Sequence, residues 1–416
     1  MYAFKLLKVK FKSRGLDKHV SNTIIRNPSA FEFSYIPPRL IDREEQMEAI
    51  RMMFGEYVKR PGSYYARALL VGNTGTGKTL TAIKFGQFAS SGSRVRFIYV
   101  PCWTHRTMHS AVRHIGEQLK INVPRRGLSA DEILEFVYDY MRDHDIYALI
   151  VLDDVFHIVN NSGADALGSM IRFYDEHMGE GEYRFSLMLI SKDESILDKL
   201  DAGARSTLGS NIVKFTPYSK DQIYEILRDR ASIGLSEGSY DDEILEMIAD
   251  VTGFETGSNT SSRGNAKQAI EILWRAALIA QQSGSRKIMP EHVRMAVKYV
   301  TPFNINELTG MELHEKIFLL AIVNALRKKE TPYVTFGEAE EEYMMLCEKY
   351  GLKGRRSHAQ LWHYLRDMKE NWQLIETRLS GKGMRGRTTL ISIPYEPLGV
   401  LAQELEKLIS KDLGVG

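Results

Sequence analysis

The stretch ARALLVGNTGTGKTLT, residues 66–81, is the strongest structural signal in the chain. Its first part, ARALLVG (66–72), is an apolar run of the kind that forms a buried β-strand. This strand leads directly into GNTGTGKT (72–79), a full match to the pattern G-x-x-x-x-G-K-[ST], and a helix is predicted from Thr79 to about Ala89. A glycine-rich loop between a buried strand and a helix predicts a site for the phosphates of a nucleotide.

The residue types in this loop suit phosphate chemistry. Glycines let consecutive backbone N–H groups turn toward phosphate oxygens at the N-terminus of a helix, whose dipole favours anions. The Lys78 ammonium can reach the β- and γ-phosphates, and the Thr79 hydroxyl can ligate Mg²⁺. We therefore predict ATP or ADP with Mg²⁺ as the cofactors, and the predicted binding residues of the loop are Gly72, Asn73, Thr74, Gly75, Thr76, Gly77, Lys78, Thr79 and Leu80.

A second buried strand carries the predicted catalytic carboxylates. ALIVLDD (148–154) ends in Asp153 and Asp154, as expected where a sheet strand delivers a carboxylate beside Mg²⁺. Asp153 is predicted to hold the metal through a water, and Asp154 to orient or deprotonate the attacking water. Asp154 is one methylene shorter than the more usual glutamate, which reduces its reach. The alternative is an Asp pair that caps the following helix.

The rest of the first half alternates strands with helices. Further strands are predicted at 95–100, 185–191 and 211–215, and helices at 46–59, 107–120 and 129–143. Such alternation implies a parallel sheet covered by helices on both faces. The fold class is therefore predicted to be an α/β P-loop domain.

Strands disappear after Pro217 and return near the C-terminus. Residues 219–300 are predicted to form an all-α lid, with breaks at Gly234, Gly253 and Gly284. Beyond it we predict three helices (313–329, 337–350, 356–370) and two strands around a glycine-rich tip (374–393). The predicted domains are a nucleotide-binding domain with a basic N-terminal arm (1–217), a helical lid (218–302) and a winged-helix domain (303–416).

Composition excludes several classes of protein. The chain has 416 residues, of which 55 are Lys or Arg and 53 are Asp or Glu, for a net charge of +2. It contains no apolar run of about 18 residues, which a transmembrane helix needs, and its start lacks the apolar core of a signal peptide. Two cysteines exclude a disulfide scaffold and a four-thiolate zinc site. We expect a cytoplasmic protein without a membrane partner.

The near-neutral total hides two basic segments. The first twenty residues have a net charge of +5 and are predicted to form either a short strand or a mobile tail. Residues 353–387 contain nine basic and three acidic residues, for a net charge of +6. The acidic residues concentrate elsewhere, as in EAEEE (338–342). A nucleic-acid partner is therefore compatible with the neutral average.

The helix predicted at 356–370 has the pattern of a recognition helix. Its spacing is expected to bury Leu361, Trp362, Leu365 and Met368 and to leave an opposite face of Arg356, Ser357, Gln360, His363 and Tyr364. The segment RLSGKGMRGRTTLISI (378–393) is similar to the wing of a winged-helix domain. A solubilising basic surface is the alternative. The predicted partner is duplex DNA, and the predicted contacts are Arg355, Arg356, Ser357, Gln360, Lys382, Arg385 and Arg387.

From about residue 30 to residue 400, the chain resembles the archaeal replication initiators of the origin-recognition-complex/cell-division-cycle type, a branch of the AAA+ ATPases. The resemblance rests on the P-loop and on three further segments, YIPPRLIDREEQ (35–46), the helical insert at 99–133 and FTPYSKDQIYEILRDR (215–230). It implies that the first and last of these enclose the adenine. The residues then assigned to the base are Tyr35, Pro37, Arg43, Tyr218 and Ile226.

Three positions depart from the family pattern. Lys192 stands where the family has an asparagine that senses the γ-phosphate, and Lys267 stands where a lid arginine is usual. Arg205 is left as the candidate finger for the nucleotide of a neighbouring copy. The alternative for Arg205 and Lys267 is a solvated surface cation. With binding residues intact and hydrolysis residues weakened, the resemblance implies a slow ATPase that uses the nucleotide as a switch.

The resemblance implies an initiator that binds origin DNA and promotes initiation and helicase loading. Its implied partners are other initiator copies on DNA and the replicative helicase. The insert implies a further DNA contact, with candidate residues Arg106, Arg113, Arg125 and Arg126. One alternative is a remodelling or clamp-loader-like motor, which the weakened hydrolysis residues disfavour. Another is a transcriptional regulator that uses ATP structurally, and a third is a paralogue that antagonises initiation.

Overall fold

The computed structural model describes residues 23–32, 35–123, 127–176, 183–209, 211–255, 263–300, 305–352, 354–379 and 388–414. Five residues predicted to contact DNA therefore lie outside the described residues: Arg125, Arg126, Lys382, Arg385 and Arg387. The same holds for the basic start of the chain, residues 1–22.

A parallel sheet forms the centre of the first region. Its strands are β1 (Arg67–Val71), β2 (Val95–Pro101), β3 (Tyr147–Asp153), β4 (Phe185–Ser191) and β5 (Ile212–Lys214), in the order β2-β3-β4-β1-β5. Every neighbouring pair of strands is parallel. All seven residues of β3 and of β4 are buried, because helices cover both faces of the sheet. The predicted α/β fold is confirmed.

Helices pack on the two faces of this sheet and enclose separate cores. One core lies under the first two helices and contains Phe54 and Phe85; the other lies under the remaining helices and contains Val112, Val137 and Leu167. The helices are α1 (Glu44–Lys59), α2 (Lys78–Ser91), α3 (Met108–Gln118), α4 (Ala130–Asp143), α5 (Phe156–Ser162), α6 (Ala164–Ile171), α7 (Phe173–Glu176), α8 (Ser195–Lys199) and α9 (Ala202–Leu208).

The lid is all-helical, as predicted. It consists of α10 (Lys220–Gly234), α11 (Asp242–Thr252), α12 (Ala266–Gln282) and α13 (Pro290–Val300). A capping box between Ser219 and Gln222 defines the start of α10. The chain before the sheet region also belongs here, since Phe31 packs on Trp274 with ring centroids 5.3 Å apart. The lid core therefore includes residues that precede the α/β region in the chain as well as residues that follow it.

The third region combines helices with a small antiparallel sheet in the order β6-β8-β7. Its elements are α14 (Leu313–Lys329), β6 (Val334–Thr335), α15 (Phe336–Lys349), α16 (His358–Glu370), β7 (Glu376–Leu379), β8 (Thr389–Ser392) and α17 (Leu398–Asp412). The sequence did not lead us to expect β6 or α17. A two-residue strand is too short to show a periodicity, and α17 packs on α14 through Leu401 and Leu405 in the core of this region.

The predicted buried face of α16 was wrong at two residues. Trp362 is 37% exposed, whereas Tyr364 is 4% exposed and its hydroxyl donates to Glu312 over 3.1 Å. The helix begins at His358, so that Ser357 is its N-cap and Arg356 precedes it. The error arose because an aromatic residue was assumed to be buried, while the packing of α16 on α14 selects Tyr364. Among the described residues, no helix is long and apolar enough to cross a bilayer.

Candidate functional site

The glycine-rich loop leaves β1 and enters α2 at Lys78. Gly75 and Gly77 have φ angles of 78° and 92°, in the left-handed region that favours glycine. A Cβ atom on Gly75 would lie 1.8 Å from the Asn265 side chain, and one on Gly77 would lie 2.6 Å from the Tyr218 hydroxyl. The loop therefore needs glycine for its curvature and for its contact with the lid.

The predicted phosphate-binding lysine points into the curve of this loop. Nζ of Lys78 donates to the carbonyl oxygens of Gly72 (2.5 Å) and Asn73 (2.9 Å). Burial lowers the pKa of Lys78, and the charges of Asp153 and Asp154 oppose that shift. The cation is thus enclosed by the loop whose N–H groups are predicted to bind phosphate. Of the remaining loop residues, Thr76 is buried, Thr74 is exposed and Leu80 is half-buried.

The carboxylate of Asp153 has two hydroxyl partners on one oxygen. Thr79 Oγ1 donates to Asp153 Oδ2 over 2.8 Å, and the Tyr99 hydroxyl donates to the same atom over 2.7 Å. Asp153 is 3% exposed, and burial raises its pKa while both hydrogen bonds oppose the rise. A threonine hydroxyl beside a carboxylate is an oxygen donor set that suits Mg²⁺. The residues present therefore fit the predicted metal.

Sequence reasoning missed the role of Tyr99. The residue lies on β2 opposite Val151 of β3, two residues before Asp153 in the parallel register. The strands at 95–100 and 148–154 were both predicted, but their order in the sheet was not. The carboxyl ends of parallel strands converge where the strands are neighbours, so the folded sheet was needed to show that Tyr99 reaches Asp153.

Asp154 has an unusual backbone. Its φ angle of 64° lies in the left-handed region, which an aspartate adopts more readily than most residues. Its Oδ2 atom lies 3.3 Å from His157 Nε2 on α5, and both side chains are partly exposed. The alternative capping role is wrong for the start of α5, where the N-cap position is Val155 and no side-chain capping bond occurs among the described residues. Asp154 is thus a carboxylate beside Lys78, with a histidine as its partner.

On the side predicted for the adenine, Arg43 is 2% exposed and connects three segments. Its Nε donates to the Thr76 carbonyl and its Nη2 to the Thr216 carbonyl, each over 2.9 Å. Its guanidinium carbon lies 3.7 Å from the ring centroid of Tyr218. Burial lowers the pKa of Arg43, with Tyr218 and Asp42 opposing the shift. The loop and the start of the lid are therefore held together by this cation.

The other predicted base contacts lie between α10 and α2. The guanidinium carbon of Arg230 lies 4.4 Å from the ring centroid of Tyr35, and Ile226 precedes Arg230 by one turn of α10. The Pro37 carbonyl accepts a 2.7 Å hydrogen bond from Lys84 Nζ on α2. The segment predicted to close over the base is thus positioned by the lid and by the helix that follows the loop.

The residues that depart from the family pattern lie at three places. Lys192 follows β4, has an exposed side chain, and its carbonyl accepts from Gly72 N over 3.2 Å. Lys267 is exposed in the first turn of α12. Arg205 on α9 is half-exposed and donates through Nε to the Leu197 carbonyl over 2.9 Å. Lys192 and Lys267 therefore lie in segments that contact the phosphate loop, whereas Arg205 bonds to α8.

The N-terminal end of α16 is an exposed polar surface. Arg355, Arg356, Ser357 and Gln360 all have exposed side chains there. The backbone N–H of Arg356 donates to the Tyr343 hydroxyl over 3.1 Å, and the Ser357 side chain accepts from Gln360 N over 3.4 Å. The structure therefore brings together the four predicted DNA contacts of the third region that it describes. The two described candidates of the insert belong to the α/β region instead: Arg106 precedes α3 and donates to the Trp103 carbonyl over 3.0 Å, and Arg113 lies on α3, 3.6 Å from Glu117.

The lid and the third region share a buried ionic cluster. Glu376 on β7 is 2% exposed and accepts hydrogen bonds from Arg263 and from the Tyr395 hydroxyl, the latter over 2.5 Å. Lys220 Nζ lies 3.8 Å from Glu376 and 3.5 Å from Asp250 of α11. These contacts tie the first turn of α10 and the segment before α12 to the small antiparallel sheet.

Family models match three parts of the chain. The AAA domain matches residues 65–200, the Cdc6 AAA+ ATPase-type lid domain matches residues 224–298, and the CDC6 C-terminal winged helix domain matches residues 306–403. The three regions of the structure therefore each correspond to a described domain type. The P-loop, the lid and the winged helix occur in the order that the sequence predicted.

Curated relatives and solved structures cover nearly the whole chain. The ORC1-type DNA replication protein 2 of Saccharolobus solfataricus is 32% identical over 379 residues, 89% of this chain and 90% of the relative. The crystal structure of Cdc6p from Pyrobaculum aerophilum is 42% identical, with a TM-score of 0.87 over 94% of this chain and 100% of its own. The Aeropyrum pernix ORC1 protein in complex with DNA shares the fold at 24% identity, with a TM-score of 0.59 over 94% of this chain and 98% of its own.

These matches agree with the P-loop, with the buried Asp153 beside Thr79 and with the helical lid that contacts the loop. They confirm the resemblance that the sequence motifs indicated, and with it an ATP-binding ATPase domain and a role in the initiation of replication. The chain belongs to the archaeal replication initiators of the origin-recognition-complex/cell-division-cycle type, a family of AAA+ ATPases.

Proposed function

We propose that this initiator binds duplex DNA at replication origins in a manner switched by ATP and ADP, and thereby promotes initiation and helicase loading at the nucleoid. One contact carries the proposal. The first residue of α12, Ala266, donates its backbone N–H to the Gly75 carbonyl of the phosphate loop over 3.1 Å. Three residues earlier, Arg263 is bonded to Glu376 of the third region. A conformational change in the phosphate loop would therefore reach the third region through the short segment from Arg263 to Ala266.

The nucleotide-binding roles follow from the geometry of the loop. Its backbone N–H groups and Lys78 would hold the phosphates, while Thr79 and Asp153 would hold Mg²⁺. When bound, Mg²⁺ would neutralise charge on the phosphates. Arg43, Tyr218, Tyr35, Pro37 and Ile226 would then enclose the base between the lid and the loop. Lys78 already faces the interior of the loop, so binding exchanges its carbonyl partners for phosphate oxygens.

We assign slow hydrolysis to the residues around Asp154. Its carboxylate is the group that would orient the attacking water, and it is partnered with His157 instead of being free to turn. Lys192 and Lys267 can contact phosphate, but neither accepts a hydrogen bond from water or offers a bidentate fork. Arg205 is half-exposed on α9 and would complete the site of an adjacent initiator copy. These features favour a protein that uses bound nucleotide as a conformational switch over a motor that depends on rapid hydrolysis.

The proposed domain boundaries are 1–217, 218–302 and 303–416. DNA binding is assigned to the last of these, the third region. We assign phosphate contacts to Arg355 and Arg356, which are exposed at the start of α16, and a base-edge contact to Gln360, which is also exposed. We also assign phosphate contacts to Lys382, Arg385 and Arg387, which the structure does not describe. The chain shares its fold with the Aeropyrum pernix ORC1 protein that was solved in complex with DNA.

The test is the salt dependence of duplex binding. In the double variant Arg355→Ala, Arg356→Ala, we expect weaker binding to every duplex and a salt slope shallower by about 2, or roughly 1 per lost phosphate contact. Arg51→Ala with Arg60→Ala is the matched control, because both arginines are exposed in the α/β region, Arg51 on α1 and Arg60 directly after it. An unchanged salt slope of duplex binding in the α16 variant would show that the DNA site lies elsewhere.

Chromosome footprinting separates the initiator from a transcriptional regulator. Protection at an origin is expected from the proposed function, and protection that is confined to promoters would favour regulation. Footprints made with ATP and with ADP test the switch, since the proposal requires the two patterns or their affinities to differ.

A further inference from the structure

Trp362 lies on the outward face of α16. The inward face consists of Leu361, Tyr364, Leu365 and Met368, all buried. Trp362 is 37% exposed, and one turn of helix separates it from exposed Ala359 on one side and from exposed Arg366 on the other. Since residues three and four apart share a helix face, these three side chains form one outward stripe.

The indole ring is held in a defined position. It stacks on Phe336 of α15 with ring centroids 4.4 Å apart and an interplanar angle of 5°. Its Nε1 donates to Nε2 of His358 over 3.0 Å, and His358 Nδ1 lies 2.9 Å from Glu340 Oε2. Because Nε2 accepts, the histidine proton is on Nδ1 and is donated to Glu340. The ring is therefore fixed by a stack and by a hydrogen-bonded chain.

This arrangement determines what the exposed ring can offer to a partner. Indole has a single hydrogen-bond donor and no acceptor, and His358 already takes that donor. The exposed edge of Trp362 is consequently apolar, as is the neighbouring Ala359. In the major groove of DNA the apolar feature of a base edge is the 5-methyl group of thymine. A fixed apolar edge on a helix that enters the groove thus discriminates between bases without hydrogen bonds.

We propose that Trp362 is a specificity-determining residue that contacts thymine methyl groups in the major groove. The inference rests on the proposed function, since it requires α16 to be the helix that binds duplex DNA. It adds a preference for thymine-containing sites to the phosphate contacts of Arg355 and Arg356. Stacking on Phe336 and the bond to His358 fix the ring before binding, so little conformational freedom is lost in the complex.

The test compares the protein with and without the indole on DNA with and without the methyl group. Duplexes selected from a random library by the wild-type protein are synthesised with thymine or with deoxyuridine, which lacks only the 5-methyl group. We expect deoxyuridine to weaken wild-type binding by roughly fourfold for each contacted methyl, the equivalent of one buried methyl group. Trp362→Ala should weaken binding to the thymine duplex and abolish the difference between the two duplexes.

Tyr299→Ala is the control, because Tyr299 is an aromatic residue 75% exposed on α13 of the lid, and it should keep the full thymine effect. Trp362→Phe tests the same point with an apolar ring retained, and it should keep part of the effect. Equal sensitivity to deoxyuridine in wild type and Trp362→Ala would overturn the inference, as would a wild type that does not distinguish the duplexes. If duplex binding with its salt slope persists in that case, the proposed function stands; if wild type binds no duplex, the proposed function fails.

Discussion

The hydroxyl of Tyr99 donates a 2.7 Å hydrogen bond to Oδ2 of Asp153, the oxygen that also accepts from Thr79. Tyr99 lies on β2 and Asp153 at the end of β3, so two neighbouring strands determine the direction of this carboxylate. The Thr79 hydroxyl is a predicted ligand of Mg²⁺ and would have to leave its present partner on metal binding. The bond from Tyr99 would remain and keep the carboxylate oriented.

Tyr99→Phe should therefore raise the Mg²⁺ concentration that gives half-maximal ATP hydrolysis. A hydrogen bond contributes about 1 kcal/mol, which corresponds to roughly a fivefold change. This Mg²⁺ requirement is measured by titrating Mg²⁺ while following ATP hydrolysis and the binding of a fluorescent nucleotide. Tyr64→Phe is the control, since the Tyr64 hydroxyl donates to the Met53 carbonyl on α1. The same Mg²⁺ requirement in both variants would contradict a positioning role for Tyr99.

Asp154→Asn should slow hydrolysis while leaving nucleotide affinity nearly unchanged. The amide keeps the size of the side chain and tolerates the left-handed backbone, but it cannot accept a proton from water. We expect a decrease of roughly 10²-fold in single-turnover rate. His157→Asn serves as the comparison, because it removes the partner of Asp154 and leaves the carboxylate in place. A normal rate in Asp154→Asn would show that another group activates the water.

Glu376→Gln should destabilise the contact between the lid and the third region. The carboxylate is 2% exposed and is bonded to Arg263, whose side chain is 14% exposed, so the change leaves a buried cation without its charge partner. Loss of one member of a buried pair costs about 3–5 kcal/mol. We expect the free energy of unfolding, measured by urea denaturation, to decrease by about 3 kcal/mol.

Glu404→Gln is the matched control for this experiment. Glu404 forms a surface pair with Lys407 at 3.1 Å, and such exposed pairs contribute about 0–1 kcal/mol. Similar losses in the two variants would mean that the buried cluster has no special role in joining the regions.

His292 should make the lid less stable at acidic pH. Its Nδ1 accepts from Met289 N over 3.0 Å, and burial lowers the pKa of His292 below its usual value of about 6.5. The unfolded chain therefore binds a proton at a higher pH than the folded chain does. As the pH falls below about 6.5, the free energy of unfolding decreases, and this contribution is fully present only above that pH.

His292→Asn removes the titrating group and keeps an acceptor for the Met289 N–H. The free energy of unfolding of the variant should depend less steeply on pH between about 7 and 5 than that of the wild type. Urea denaturation at the two pH values measures the difference. Other histidines with lowered pKa values, His105 and His314, contribute equally to both proteins and cancel. Parallel pH profiles would exclude His292 as a source of the acid sensitivity.

The sequence alone determined the nucleotide-binding centre, because its signals are local. A buried strand, a glycine-rich turn and a helix start within residues 66–81 specify a phosphate loop without reference to any distant residue. The run ending in Asp153 similarly specifies a buried strand that carries a carboxylate. The helix and strand patterns after Pro217 predicted the lid and the winged helix, and the matches to family models and to a solved structure confirmed both.

The tertiary structure alone decided which distant residues complete these sites. Tyr99 reaches Asp153 because β2 and β3 are neighbours, and Asn265 packs on Gly75 because the lid folds back onto the loop. Trp362 is exposed and Tyr364 buried because α14 packs against one side of α16, a choice that an apolar periodicity does not specify. Local pattern determines which elements form, whereas side-chain contacts between elements follow from packing in three dimensions.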